Sequence, residues 1–129
     1  MAFVLVVDDD YDSSAALAGF LRKGGHVVQH VPDGRQAIVA VMELLPDIVV
    51  LDLKMPDMDG VGFLEVVRSY LRLSKLPIIL WTGHSDEQEV NEALKLGVEA
   101  VLVKTRTDYS DILSEVNRVI AKPPPADPA

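Results

Sequence analysis

The sequence contains no cysteine, which excludes a disulfide framework, a thiol nucleophile and a thiolate metal site. Absent thiols fit a reducing compartment, and the cytoplasm is the expected location. No apolar run approaches the roughly 18 residues that a membrane-spanning helix requires. The opening MAFVLVV has no basic leader and runs directly into acids, unlike a secretory signal, so a soluble protein is expected. Positive charge is scarce: 12 Lys and Arg stand against 20 Asp and Glu, a formal net charge of -8. Contact with a nucleic-acid backbone requires clustered Lys and Arg, so no direct nucleic-acid partner is expected. Internal repeats are also missing, and low complexity is confined to the final residues.

What is present is a globular composition, 49% hydrophobic and 25% charged in 129 residues. That is enough chain to bury a core without disulfides or a structural metal, and one domain is expected. The ending KPPPADPA cannot continue a helix and reads as a stiff proline-rich segment. The expected division is a domain over residues 1–122 and a tail or linker over 123–129.

Five short apolar runs punctuate the domain: FVLVV at 3–7, HVVQHV at 26–31, DIVVL at 47–51, PIILW at 77–81 and AVLV at 100–103. They are mostly continuous and rich in β-branched residues, the pattern of strands covered on both faces. Between and after them apolar residues recur at helical spacing: Leu17, Phe20 and Leu21; Ala37, Ile38 and Val41; Phe63, Leu64 and Val67; Val90, Ala93 and Leu94; Ile112, Val116, Val119 and Ile120. Asp33 with Gln36 and Ser85 with Gln88 have the spacing of helix caps, while Gly24-Gly25 and Gly97 supply stops. The order predicts an α/β fold, a doubly wound (βα)5 three-layer sandwich around a parallel five-stranded sheet.

In open sheets of this kind the ligand site lies beyond the carboxyl ends of the strands. The first strand exits into Asp8, Asp9 and Asp10, the third into Asp52, the fourth into Thr82-Gly83 and the fifth into Lys104. The second exits into Pro32-Asp33, a helix start. If Asp8, Asp9 and Asp52 all ionise they bring -3 and Lys104 returns +1, leaving -2 to be balanced. A divalent hard cation balances it, and a sparse set of oxygen donors suits Mg²⁺ and not zinc or copper. Mg²⁺, an ammonium and a hydroxyl around one carboxylate are equipment for phosphoryl transfer. Asp52 is the best nucleophile, being alone at its exit, whereas the Asp8-Asp9 pair suits metal chelation. An aspartyl-phosphate phosphatase is a weaker reading, because that chemistry usually wants an acid two residues after the nucleophile and Lys54 stands there.

Taken together, VVDDD, VLDLKMPDMDG, ILWTG and VLVK resemble the receiver domain of two-component response regulators, over residues 3 to about 121. The resemblance implies a flavodoxin-like sheet of order 2-1-3-4-5. It implies Asp52 as phosphoacceptor, Asp9 as a direct Mg²⁺ ligand, Asp8 acting directly or through water, and the Lys54 backbone carbonyl as a further ligand. Thr82 is then the switch hydroxyl, Lys104 pairs with the phosphoryl group, and Gly83 leaves room beside it. Asp10 is left as a solvated or capping acid, Asp57 and Asp59 as turn and cap acids. The implied partners are a histidine kinase or histidine phosphotransfer protein and a downstream effector domain or protein. The face of the fourth helix, fifth strand and fifth helix carries the output of a monomer or weak homodimer, without turnover of an external substrate.

Two positions depart from the family's pattern. Thr105 follows the lysine where the family usually has a cis-proline; a cis bond before another residue costs about 3 kcal/mol, which favours trans here. Val101 occupies the usual aromatic switch position and has no ring to swing. Together, Val101 and Thr105 motivate an alternative, a pseudo-receiver that binds partners without phosphorylation. Of the remaining residues, Trp81 is expected to pack in the core, His26 and His30 to lie at strand edges without chemistry, and His84 to sit at the pocket mouth.

Overall fold

The computed structural model describes residues 1–83 and 87–122. The Ser85 cap, His84 and the tail at 123–129 lie outside the described residues. Strands run Phe3–Val7 (β1), Val27–Val31 (β2), Ile48–Leu51 (β3), Ile78–Thr82 (β4) and Ala100–Val103 (β5). Helices run Tyr11–Lys23 (α1), Gly34–Glu43 (α2), Gly60–Ser69 (α3), Glu87–Leu96 (α4) and Tyr109–Ile120 (α5). All neighbouring strands pair in parallel, in the order β2-β1-β3-β4-β5. The predicted fold class and strand order are therefore observed.

Strand side chains alternate between faces, and here the alternation divides the core in two. Leu5, Val7, Val49, Leu51, Ile78 and Leu80 pack with Ala37, Val41, Phe63, Leu64, Val67 and Ala93 of α2, α3 and α4. Val4, Val6, Ile48, Val50, Ile79 and Trp81 pack with Leu17, Leu21, Ile112, Val116 and Val119 of α1 and α5. A helix layer on each face explains why the central strands read as continuous apolar runs. Strand β2 departs from that pattern because it is an edge: Val27 is 52% exposed whereas Val28 is 7% exposed. The helical spacing was right in period but too generous in two places, since Leu94 and Phe20 lie at the solvent side, 51% and 36% exposed.

Local chemistry sets the element ends. Asp10 caps α1 by accepting from the Ser13 backbone N–H (3.2 Å), Asp33 caps α2 through Gln36 (2.8 Å), and Asp59 caps α3 through Gly62 (2.8 Å). Helix α1 stops at Gly24, and Gly25 and Gly97 take φ of +94° and +98°, backbone that glycine adopts without a Cβ penalty. The connection before β4, on which the sequence pattern is silent, is organised by Arg68 of α3. Its guanidinium donates to the carbonyls of Leu73, Ser74, Leu96 and Gly97 at 2.8–3.3 Å. His26 corrects its strand-edge reading: it precedes β2, is buried, and accepts from the Ala2 N–H (3.0 Å) while its other ring nitrogen meets Asn117 Oδ1 (2.9 Å). Among the described residues, no helix is long and apolar enough to cross a membrane.

Candidate functional site

Pairing of β1 with β3 decides which acids meet. Val7 lies opposite Leu51, and the Asp52 N–H donates to the Val7 carbonyl at 2.9 Å, so Asp8 and Asp52 leave the sheet side by side. Asp9 completes the group: one carboxylate oxygen from each of Asp8, Asp9 and Asp52 lies within 4.8 Å of the others. Asp8 is fully buried and Asp52 is 7% exposed, whereas Asp9 is open to solvent. Asp8 Oδ1 accepts from the Asp10 N–H at 2.9 Å, which fixes the carboxylate's orientation. The predicted acids therefore converge, and Asp10 does not join them, being committed to its cap.

Lys104 reaches this group from the end of β5. Its ammonium is 2.6 Å from Asp8 Oδ2 and 3.5 Å from Asp52 Oδ2. The Lys104-Thr105 bond is trans, and a 3₁₀ turn over Lys104–Arg106 carries the chain toward α5. So the missing proline does not prevent the lysine from reaching the acids. Thr82 ends β4, is 1% exposed, and lies beside Val103 in the β4–β5 register. The Lys54 N–H donates to Asp52 Oδ1 at 3.3 Å, while its side chain turns outward to Glu89 at 3.9 Å. Val101, at the position where a ring was missing, is half-buried against the α2–α4 side of the core.

Electrostatics follow from this geometry. Burial pushes the Asp52 carboxyl from 3.8 up to about 6; Lys104 opposes that rise and the Asp8 charge adds to it. Burial would lower the Lys104 ammonium, but its hydrogen bond to Asp8 and the nearby acids outweigh this and hold it above its usual value. An excess of negative charge in oxygen-only donors is the situation that a hard divalent cation relieves.

Three supports of the site were missed in the sequence. Gly60 starts α3 against the loop after Asp52: a Cβ there would stand 2.6 Å from the Asp52 carbonyl oxygen and 2.7 Å from Leu53 Cα. Gly34 is equally crowded, with a Cβ 2.5 Å from the Met58 carbonyl oxygen, to which its own N–H donates at 3.1 Å. Nothing in the residue order marks either glycine, because steric demand between distant segments leaves no trace in local spacing. Gly83 carries no such demand, as a Cβ there would make ordinary contact with Lys104 Cδ at 3.8 Å. His30, read as having no role, donates from Nε2 to the Asp8 carbonyl at 2.8 Å and so holds the β1 exit in place. Trp81 packs in the core as expected, but it also lies under Lys104, with the ammonium 4.6 Å from its ring centroid.

Comparison with known proteins agrees with this arrangement. The family model described as the response regulator receiver domain matches residues 4–117. The DNA-binding response regulator MtrA of Mycolicibacterium paratuberculosis is 38% identical over 101 residues, covering 78% of this chain and 44% of its own length. The chain thus spans less than half the length of this and other curated relatives that it matches. Among solved structures, the signal receiver domain of a signal transduction histidine kinase from Syntrophus aciditrophicus superposes with a TM-score of 0.87 at 26% identity, covering 100% of this chain and 97% of that one. The chemotaxis response regulator CheY4 of Vibrio cholerae gives 0.84 at 28% identity, covering 92% and 98%. A match that runs from the first strand into the last helix shows that the chain belongs to the response regulator receiver domain family.

Proposed function

We propose that residues 1–122 form a phosphoryl-accepting unit in which Asp52 takes a phosphoryl group from the phosphohistidine of a histidine kinase or histidine phosphotransfer protein. The observation that carries this reading is the convergence of three carboxylates within 4.8 Å, one of them Asp52, with the Lys104 ammonium at 3.5 Å from it. In the transfer, an Asp52 carboxylate oxygen bonds to phosphorus as the phosphorus–nitrogen bond of the donor breaks, its electron pair remaining on the imidazole. Lys104 meets charge on the transferred group, and Thr82 bonds one of its oxygens. Burial lifts Asp52 only to about 6, so it stays largely ionised near neutral pH and available as a nucleophile.

The donor set fits Mg²⁺, with the Asp8, Asp9 and Asp52 carboxylates and the Lys54 backbone carbonyl as the residues to hold it. When bound, the ion supplies neutralisation of the carboxylates and of the incoming phosphoryl charge. The chain returns the phosphoryl group to water or to another protein and turns over no external substrate. Output runs through the α4–β5–α5 face to an effector domain or protein, with Thr82 as the moving hydroxyl. Incubation with acetyl phosphate and Mg²⁺ tests the reading: wild-type chain gains the mass of one phosphoryl group and Asp52→Asn gains none. An unchanged gain in Asp52→Asn sinks it.

Val101 favours one second reading, a receiver that binds its partner without phosphorylation, since no ring at that position changes exposure with the state of Asp52. It predicts equal partner affinity with and without a beryllofluoride phosphoryl mimic and Mg²⁺. A large Mg²⁺-dependent change in affinity rules it out.

A further inference from the structure

Lys104 has to place one ammonium between Asp8 and Asp52 from the end of a long flexible stem. Two carboxylates on one side of a charge do not by themselves hold it at the nearer or the farther of them, here 2.6 Å and 3.5 Å away. A third contact does: the ammonium lies 4.6 Å from the centroid of the Trp81 indole. Indole is the most favourable of the aromatic faces for a cation. The stem passes Gly83 on the way, at a distance where even an added Cβ would find Lys104 Cδ at 3.8 Å.

The indole is itself held. It is 4% exposed, and the Tyr109 ring meets it nearly edge-on, centroids 6.1 Å apart at 67°. Tyr109 in turn meets the Phe20 ring of α1, centroids 6.2 Å apart. A buried ring in contact with another ring has little freedom to turn away from the ammonium. Core packing alone does not account for tryptophan here, because its Nε1 is buried without a hydrogen-bond partner among the described residues. An unpaired buried N–H carries a cost that leucine or phenylalanine would avoid. The cation contact supplies a reason for an indole that packing does not.

We propose that Trp81 is a positioning residue for phosphoryl transfer to Asp52, holding the Lys104 ammonium in place through its ring face. The inference rests on the reading of Asp52 as phosphoacceptor. Trp81 touches neither phosphorus nor the attacking oxygen; it acts by keeping Lys104 within reach of both acids. The position of the ammonium is thereby set across the sheet, from β4, as well as by the loop that follows β5.

The test is a cycle of variants in the 129-residue chain. Trp81→Leu is expected to slow phosphorylation by acetyl phosphate about fivefold to tenfold, the rate equivalent of a partly desolvated cation–π contact. Trp81→Phe restores most of the rate, since it keeps a ring face. In a Lys104→Met background, Trp81→Leu makes no further difference. Proton NMR gives a readout independent of the reaction: Lys104 Hε resonances are shifted upfield by the indole in the wild type, and the shift disappears in Trp81→Leu. A purely structural Trp81 would slow the reaction by the same factor with and without Lys104, and that result overturns the proposal. So does a wild-type Lys104 with no ring-current shift. A wild-type chain that takes no phosphoryl group at all refutes the phosphoacceptor reading and this inference with it, whereas normal phosphorylation of Trp81→Leu overturns the positioning role alone.

Discussion

Replacing Asp52 by asparagine should stabilise the metal-free protein, although it removes the residue proposed to receive phosphate. Asparagine has nearly the shape of a protonated aspartate and no charge to desolvate. In the folded chain burial raises the Asp52 carboxyl from 3.8 to about 6, so the folded state disfavours its charged form. A difference of roughly 2 units corresponds to about 3 kcal/mol at 1.36 kcal/mol per unit. Water at the pocket mouth screens part of this, leaving about 1–2 kcal/mol, or about 4–8 °C in melting temperature for a domain of this size. The sign follows from linkage: between 3.8 and about 6 the folded state binds more protons than the unfolded state at this group, so wild-type stability from this source falls as pH rises. The gain from asparagine is therefore absent below about pH 3.8, grows through the window, and is complete above about 6. Thermal melts of both proteins in chelator at pH 8 and pH 4 measure it. Destabilisation at pH 8, or an equal gain at both values, would refute the account of Asp52 as a carboxylate charged against its surroundings.

Other consequences are as direct. Mg²⁺ and protons compete for Asp52, so calorimetric titration should show apparent affinity falling as pH drops through about 6, by up to about tenfold per unit below it. Gly60→Ala forces a Cβ into the backbone after Asp52 and should cost about 1–3 kcal/mol by urea denaturation, with slower phosphorylation. His26→Leu leaves the Ala2 N–H and Asn117 Oδ1 without their partner and should cost about 1–3 kcal/mol in the same assay while leaving the phosphorylation rate unchanged. Lys104→Met removes the cation held at Asp8, so Mg²⁺ affinity should rise while phosphorylation slows; a fall in both would contradict the competition inferred from the 2.6 Å pair.

Fold and site differ in how far they could be read from residue order. Strand runs such as FVLVV and PIILW coincide with β1 and β4 to within a residue at each end, because a central strand covered on both faces must be apolar along almost its whole length. Asp33 and Asp59 cap α2 and α3 as their positions suggest, since a cap is a contact within four residues. Leu94 looked like part of a buried stripe and is half exposed, because helical period states which residues share a face but not how wide a face its neighbours cover.

By itself the sequence determined the alternation of strands and helices, the absence of thiols, the excess of acids over bases, and the residues that each strand delivers to its carboxyl end. These are properties of short segments, where covalent spacing sets what can meet. Only the tertiary structure decided that Asp8 and Lys104, far apart in the chain, close to 2.6 Å without a proline after the lysine. It alone decided that Gly34 and Gly60 must stay small, that His30 holds the Asp8 carbonyl, and that Trp81 lies beneath an ammonium. Each of these depends on the register of β1 against its neighbours or on two faces approaching within a few ångströms. Such distances are set by the packed core as a whole, and no local pattern encodes them.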